Sequence, residues 1–357
     1  MNILRRVSLA RLLLGCAVAA VAGVSLTALA LALGSGPTPP AKPLAQAVHD
    51  ALTGPRPQGF SAEIQFTDHL LDGAQLASGE GEQGGGGSLA TSPLLSGASG
   101  RMWVSADGKL RIELQAEKGD TQIVYDGSEI ELYDASTNTV YRLKAPKRDA
   151  TGGKGSPPTL GQVEEALAHL SQHAHVSAAE PTDVGGRPAY EVRLSPQQGG
   201  SLFAGVSLAF DADNGVPLRA AVYSTRSSSP VIELSASSIS YGPVDESVFQ
   251  IQPPANAKVE DVQLPHRSAK HAGMGADGHL TVHGHGPTAI AVLESKQQGA
   301  AHSSLPEGLP HVKIGSVTAT ELQSELGTLL SFERAGVRYL VLGSLAPEPI
   351  EAFARGL

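Results

Sequence analysis

In Leu110-Arg111-Ile112-Glu113-Leu114-Gln115 every second residue is apolar and its neighbours are polar or charged. Side chains of an extended strand point alternately to two faces, so this stretch demands a strand with one buried and one wetted face. A helix would spread the same residues around its whole circumference. The flanks carry turn chemistry: Asp107-Gly108 before it, then Glu117-Lys118-Gly119-Asp120 and Asp126-Gly127 after it. Asp-Gly between two strand-like runs predicts a hairpin, because glycine enters positive φ at little cost. Thr121 to Tyr125, Glu129 to Tyr133 and Thr139 to Leu143 continue the pattern, with Asp134-Ala135-Ser136-Thr137-Asn138 as the last turn. Residues 100–146 therefore read as a four- or five-stranded antiparallel meander. Its apolar face either fills an ordinary core or walls a cavity.

The rest of the composition agrees with a turn-rich β protein: 41 glycines, 24 prolines and only 4% aromatics in 357 residues. The formal net charge is −9, and because Arg5, Arg6 and Arg11 are the only charges in residues 1–40, the remainder carries −12. So acidic a body lacks the basic footprint that nucleic-acid binding needs. Cys16 is the sole cysteine, which excludes an intramolecular disulfide.

Leu12 to Leu33 is an uncharged, mostly apolar run of 22 residues. As a helix it would be about 33 Å long, enough to span the hydrocarbon core. The three arginines before it should stay cytoplasmic and place the remainder outside. The run is longer than a usual signal core and reads as a single-pass anchor. The alternative is a cleaved signal peptide, with Ala28-Leu29-Ala30 or Ala30-Leu31-Ala32 as the site. Leu13-Leu14-Gly15-Cys16 is no lipoprotein box, since the apolar stretch follows the cysteine.

Beyond a Gly/Pro spacer at 35–43, Leu44, Val48 and Leu52 predict a short helix ended by Gly54-Pro55. Phe60 to Thr67 reads as a strand with Ala62, Ile64 and Phe66 on one side, and residues 73–99 as a glycine-rich loop. Gly79-Glu80-Gly81-Glu82-Gln83-Gly84 matches a dinucleotide fingerprint in letters only: no strand feeds it, no helix follows, and two glutamates would repel phosphate. After a second loop at 147–158, Thr159 to Gln162 forms a capping box for a helix striped by Leu160, Val163, Leu167 and Leu170. Strands resume at 189–194, 206–210, 218–224, 231–237 and 239–241, and Val248-Phe249 and Pro253-Pro254 close the unit. Residues 256–287, with His266, His271, His279, His283 and His285, read as a solvated linker. A strand at 278–284 would bring His279 and His283 to one face, but the spacing fixes no metal site. A small α+β unit fills 288–357, with a last helix at 347–355.

Catalytic constellations are missing: there is no G-x-S-x-G, H-E-x-x-H or C-x-x-C. Nothing here calls for a cofactor, and the chain reads as a non-enzyme.

The order of these features resembles a known family. Phe60-Ser61-Ala62, Gly100-Arg101-Met102-Trp103, Lys109-Leu110-Arg111 and Asp126-Gly127-Ser128 come first. Tyr133-Asp134, Asn138 and Val140 follow, then Gly186-Arg187-Pro188-Ala189-Tyr190, Gly215-Val216-Pro217-Leu218 and Val248-Phe249. Over residues 44–255 this looks like the LolA-like lipoprotein-carrier superfamily, including LppX-type lipid carriers and the N-terminal domain of RseB-type regulators. It is most similar to the membrane-anchored actinobacterial-type branch. The resemblance implies a curved antiparallel sheet, a half-open β-barrel with a helical lid, and an apolar cavity for lipid or lipoprotein acyl chains. It carries over no catalytic residue. One strand parity then supplies the candidate lining: Ile64, Phe66, Met102, Val104, Ile112, Leu114, Tyr125, Ile130 and Leu132. The alternatives are a lipid-sensing regulator that binds a membrane protein, and an exported interaction protein with a filled core.

Overall fold

The computed structural model describes residues 36–71, 97–116, 119–145, 157–262, 278–296 and 309–357. The anchor read at Leu12 to Leu33, His266 and His271, and nearly all of the two glycine-rich loops lie outside these residues. No helix among the described residues is long and apolar enough to cross a membrane.

Helix α1 (Leu44–Thr53) and strand β1 (Gly59–Asp68) come first. The meander follows as β2 (Ala98–Ser105), β3 (Leu110–Ala116), β4 (Gly119–Tyr125), β5 (Glu129–Asp134) and β6 (Thr139–Lys144). Helix α2 (Leu160–Leu170) leads into β7 (Ala174–Val176), β8 (Glu180–Val184), β9 (Arg187–Pro196), β10 (Phe203–Asp211), β11 (Pro217–Ser224) and β12 (Pro230–Tyr241). With β13 (Lys258–Val262) these strands form one sheet in the order β13-β6-β5-β4-β3-β2-β1-β12-β11-β10-β9-β7, and β8 pairs with β9 off that path. The sheet is curved and does not close. All its pairings are antiparallel except β6 with β13.

Local chemistry accounts for the helices. Thr159 accepts the Gln162 amide N–H, and the Gln162 side chain accepts that of Thr159, so the expected capping box opens α2. Helix α1 differs in which face it buries. Leu44, Ala47, Val48 and Ala51 pack with Tyr190, Val192 and Phe210, while Leu52 is 47% exposed. At 3.6 residues per turn Leu52 lies about 80° around the helix from Leu44, off the stripe that Ala47 and Ala51 complete. Helix α2 packs against α1 and β7.

Several strands depart from the sequence reading. β12 is one strand through 241, because the pairing slips between Glu63 and Ile64: Glu63 faces Ser238 and Ile64 faces Ala236. A bulge of this kind shifts the apolar parity, so a single strand looks like two. Residues 256–287, expected as linker, contain β13 and also β14 (Gly278–His283). β13 is a short edge strand whose two valines, Val259 and Val262, are both exposed, which left no period to read. It reaches β6 by a strap across the outer face of the meander. Asp245 caps the turn at Glu246–Phe249, Phe249 is buried, and Arg111 donates to the carbonyls of Val248 and Gln250 at 2.8 and 3.0 Å. Lys109 pairs with Glu246 beside it.

The second sheet runs β14-β15-β19-β18-β17-β16, with β15 (Ile290–Lys296), β16 (His311–Ile314), β17 (Val317–Ser324), β18 (Gly327–Arg334) and β19 (Val337–Gly343). β17 and β18 form a hairpin joined at residues 325–326. Helix α3 (Pro347–Arg355) covers one face, burying Ile350 and Ala354 against Val292, Leu330 and Val341. The two sheets meet where Leu202 donates its amide to Ser344 O at 2.8 Å and Glu325 donates to Leu70 O at 2.9 Å.

Candidate functional site: the apolar face of the meander

Register explains how the candidate residues meet. One rung crosses six strands as Phe60, Val104, Leu110, Tyr125, Ile130 and Leu143; the next as Ala62, Met102, Ile112, Ile123, Leu132 and Tyr141. Each rung places side chains about 5 Å apart on one face, within contact of one another. Of the nine candidates, Ile64, Met102, Val104, Ile112, Leu114, Ile130 and Leu132 belong to one apolar cluster. Phe66 is buried at the far end of the same strand parity, opposite Ala98 and Leu234. Tyr125 stands in its rung but turns its hydroxyl to Gly127 O at 2.9 Å.

Burial is graded along this face. Ile64, Ile112 and Leu114 are 1–2% exposed, whereas Met102, Val104, Leu110, Ile130 and Leu132 are only partly buried against the cluster. The deep end is filled from elsewhere in the chain. Val184, Ala209, Val216, Leu218, Leu234 and Ala236 pack into it from β8, β10, β11, β12 and the turn between β10 and β11. Sequence reasoning missed these residues. Ile123 and Leu110 had the right parity and could have been found; the distant ones carry no local signal that they face β3.

A polar knot closes the cluster at the Tyr241 end. Asp211, fully buried, accepts from Arg187 Nε at 2.8 Å, from the Tyr241 hydroxyl at 2.6 Å and from the Asp213 amide at 2.9 Å. Burial works against its charge, yet Arg187, Tyr241 and the Asp213 N–H together hold the carboxyl below its ordinary range. Burial, and next the hydrogen bond to Asp211, push the Tyr241 phenol up. Arg187 lies over the Tyr241 ring at 5.1 Å, and Phe60 meets that ring edge-on. The knot ties the β8–β9 turn and the end of β10 to the end of β12.

The opposite face is charged. Arg101 and Arg111 pair with Glu113, and Arg142 with Glu131. Here the strap and the meander enclose a pocket of about 330 Å³, lined by Val124, Asp126, Glu129, Glu131, Phe249, Gln250 and Ile251. The amides of Glu129 and Ser128 hold the Asp126 carboxyl below its ordinary value. In the second sheet, His279 and His283 do share a face with Thr281, whose Oγ1 is 3.3 Å from His283 Nε2. The His283 ring lies tilted against Phe353 of α3, with centroids 5.0 Å apart. Among the described residues no three His, Cys, Asp or Glu side chains gather as a metal site.

Comparison with known proteins adds three findings. A family described as "Predicted periplasmic protein (DUF2092)" matches residues 90–151, which span the meander. No curated protein matches the chain. Similar solved structures include the MucA/MucB complex of Pseudomonas aeruginosa, at 16% identity, with 87% of this chain and 94% of that one covered and a TM-score of 0.40. A LolA superfamily protein from Nitrosomonas europaea is another, at 10% identity, 87% and 97% coverage and a TM-score of 0.20. The LolA-like group that the sequence resembles is thus among them. At these identities and scores the likeness carries no chemistry, which has to come from the chain's own geometry.

Proposed function

We propose that this chain is an extracytoplasmic carrier that holds acyl chains of a lipid or lipoprotein against the apolar face of β1–β6. The supporting observation is the burial gradient. Two apolar rungs cross six strands without interruption, sealed at the β1 and β12 side and only partly covered at Val104, Leu110, Ile130 and Leu132. An acyl chain laid along the open part completes a surface that the fold leaves half dressed. Each methylene so buried contributes about 0.8 kcal/mol, so ten supply about 8 kcal/mol before the cost of ordering the chain. Ile64, Ile112 and Leu114 act as the floor, and Met102, Val104, Ile130 and Leu132 as the contact rows. Phe66 and Tyr125 flank them. Such binding needs neither metal nor cofactor. With Leu12 to Leu33 retained as an anchor, transfer is local, to a partner in the same membrane.

The test is native mass spectrometry of the full chain extracted in mild detergent, joined to titration with a fluorescent fatty acid. Wild type should carry lipid and bind the probe saturably. Ile130→Asp, at a partly exposed position, should weaken probe binding at least tenfold while circular dichroism stays unchanged. A folded wild type that carries no lipid and shows no saturable binding would sink the proposal.

A further inference from the structure

The second sheet breaks a rule that one-sided antiparallel sheets obey. With α3 on one face, the other should be polar. Instead Val282, Ala291, Leu342, Leu329 and Leu322 form an unbroken cross-strand row over β14, β15, β19, β18 and β17. Leu280, Leu293 and Leu340 make a second row beside it. β19 is an interior strand, yet Leu342 is 51% exposed, and Val282 on the edge is 62% exposed. The inner parity is filled in the ordinary way by Val292, Leu330 and Val341 under Ile350 of α3, so the outer rows are surplus to this sheet's own core.

We infer that this face packs against the same face of a second copy of the chain, forming a two-layer β-sandwich about a two-fold axis. Area supports a copy as the occupant. Six strands about 4.8 Å apart, each about six residues long at about 3.4 Å per residue, outline roughly 29 by 20 Å. Two such faces bury about 1,200 Å², the low end of stable interfaces. The chemistry is self-complementary. The aliphatic rows supply a dry patch toward one end of the face, Ser331 and Thr320 continue the second row, and Arg338, Glu333, Thr318 and Lys313 in the row beyond supply a polar margin of both charges. A bilayer surface fits less well, since the rows hold no aromatic residue, where a helix or sheet lying on lipid presents Trp or Phe beside basic residues.

The experiment is sedimentation equilibrium of the full chain in a non-associating detergent, over a concentration series, with vesicle flotation in parallel. Wild type should self-associate to a dimer. Leu342→Asp and Val282→Asp should each raise the dissociation constant at least tenfold, with circular dichroism unchanged. Leu52→Asp, equally exposed but on α1, should leave the dimer intact. Three results would overturn the inference: a monomer at every concentration, a dimer indifferent to both sheet variants, or a monomer whose flotation with vesicles is lost in Leu342→Asp. This outcome is independent of acyl-chain binding by the first sheet, which the fatty-acid titration reads separately.

Discussion

Replacing Asp211 by alanine should destabilise the chain by about 3 kcal/mol. The carboxylate is fully buried and satisfies three donors: Arg187 Nε, the Tyr241 hydroxyl and the Asp213 amide. Removing one partner of a buried ion pair costs roughly 3–5 kcal/mol because the other charge is stranded. Arg187 is about a third exposed and keeps Asp213 within 3.1 Å, which places the loss at the low end of that range. Tyr241→Phe alone removes one hydrogen bond to a charged acceptor, about 1.5 kcal/mol. In the Asp211→Ala background the same change should cost almost nothing, because the phenol has already lost its acceptor. Urea unfolding of the four proteins at pH 7 reads this cycle. The pH dependence has a definite sign. The folded carboxyl titrates below its unfolded value near 4. Its contribution is therefore complete above about pH 4 and fades as pH falls through the folded value, so wild type and Asp211→Ala should converge in acid. A cost under 1 kcal/mol, or additivity of the two substitutions, would refute the knot as the closure of the cluster.

Two more perturbations probe how the sheet is dressed. Gly215 has φ +72°, and a Cβ there would lie 2.3 Å from the Ala51 carbonyl oxygen of α1. Gly215→Ala should lower stability by about 3 kcal/mol through strain and clash together, whereas Gly186→Ala, at φ +74° in open space, should cost only about 1; equal thermal shifts would argue against α1 docking through this turn. Arg111→Ala removes the Nη1 group that donates to the strap carbonyls of Val248 and Gln250. Amide exchange over residues 248–251 should rise at least tenfold as the hydrogen bonds to the Val248 and Gln250 carbonyls are lost, each worth about 1.5 kcal/mol, and unchanged exchange would show the strap held without Arg111, by Phe249, the Lys109–Glu246 pair and the β13 pairing.

How much of this was written locally can be judged residue by residue. Period-2 alternation and Asp-Gly turns placed β3 to β6 closely, and Thr159 with Gln162 placed the start of α2. Alternation failed at Ser237, where a bulge moved the parity, and at β13, where two valines in five residues leave no period. Leu52 was read onto the buried side of α1 because leucine outweighed the smaller Ala47 and Ala51. The site divides in the same way. Ile64, Met102, Ile112 and Leu132 fell on one face by parity, since adjacent paired strands must align their alternation. The face they meet could not be read, because Val184, Val216 and Leu234 join them only after the sheet curls back on itself.

By itself the sequence determined an acidic, cysteine-poor β body with one apolar side to its meander, since alternation, turn chemistry and charge are local properties. Tertiary structure alone decided how that side is finished. Curvature packs β8–β12 against Ile64, Ile112 and Leu114 and ties β9 and β10 to β12 through Asp211, while Val104, Leu110, Ile130 and Leu132 stay half covered. It likewise decided that the second sheet presents leucine and valine on both faces, of which α3 covers one among the described residues. Burial is a relation between distant segments, and no period along the chain encodes which of two apolar faces finds a partner.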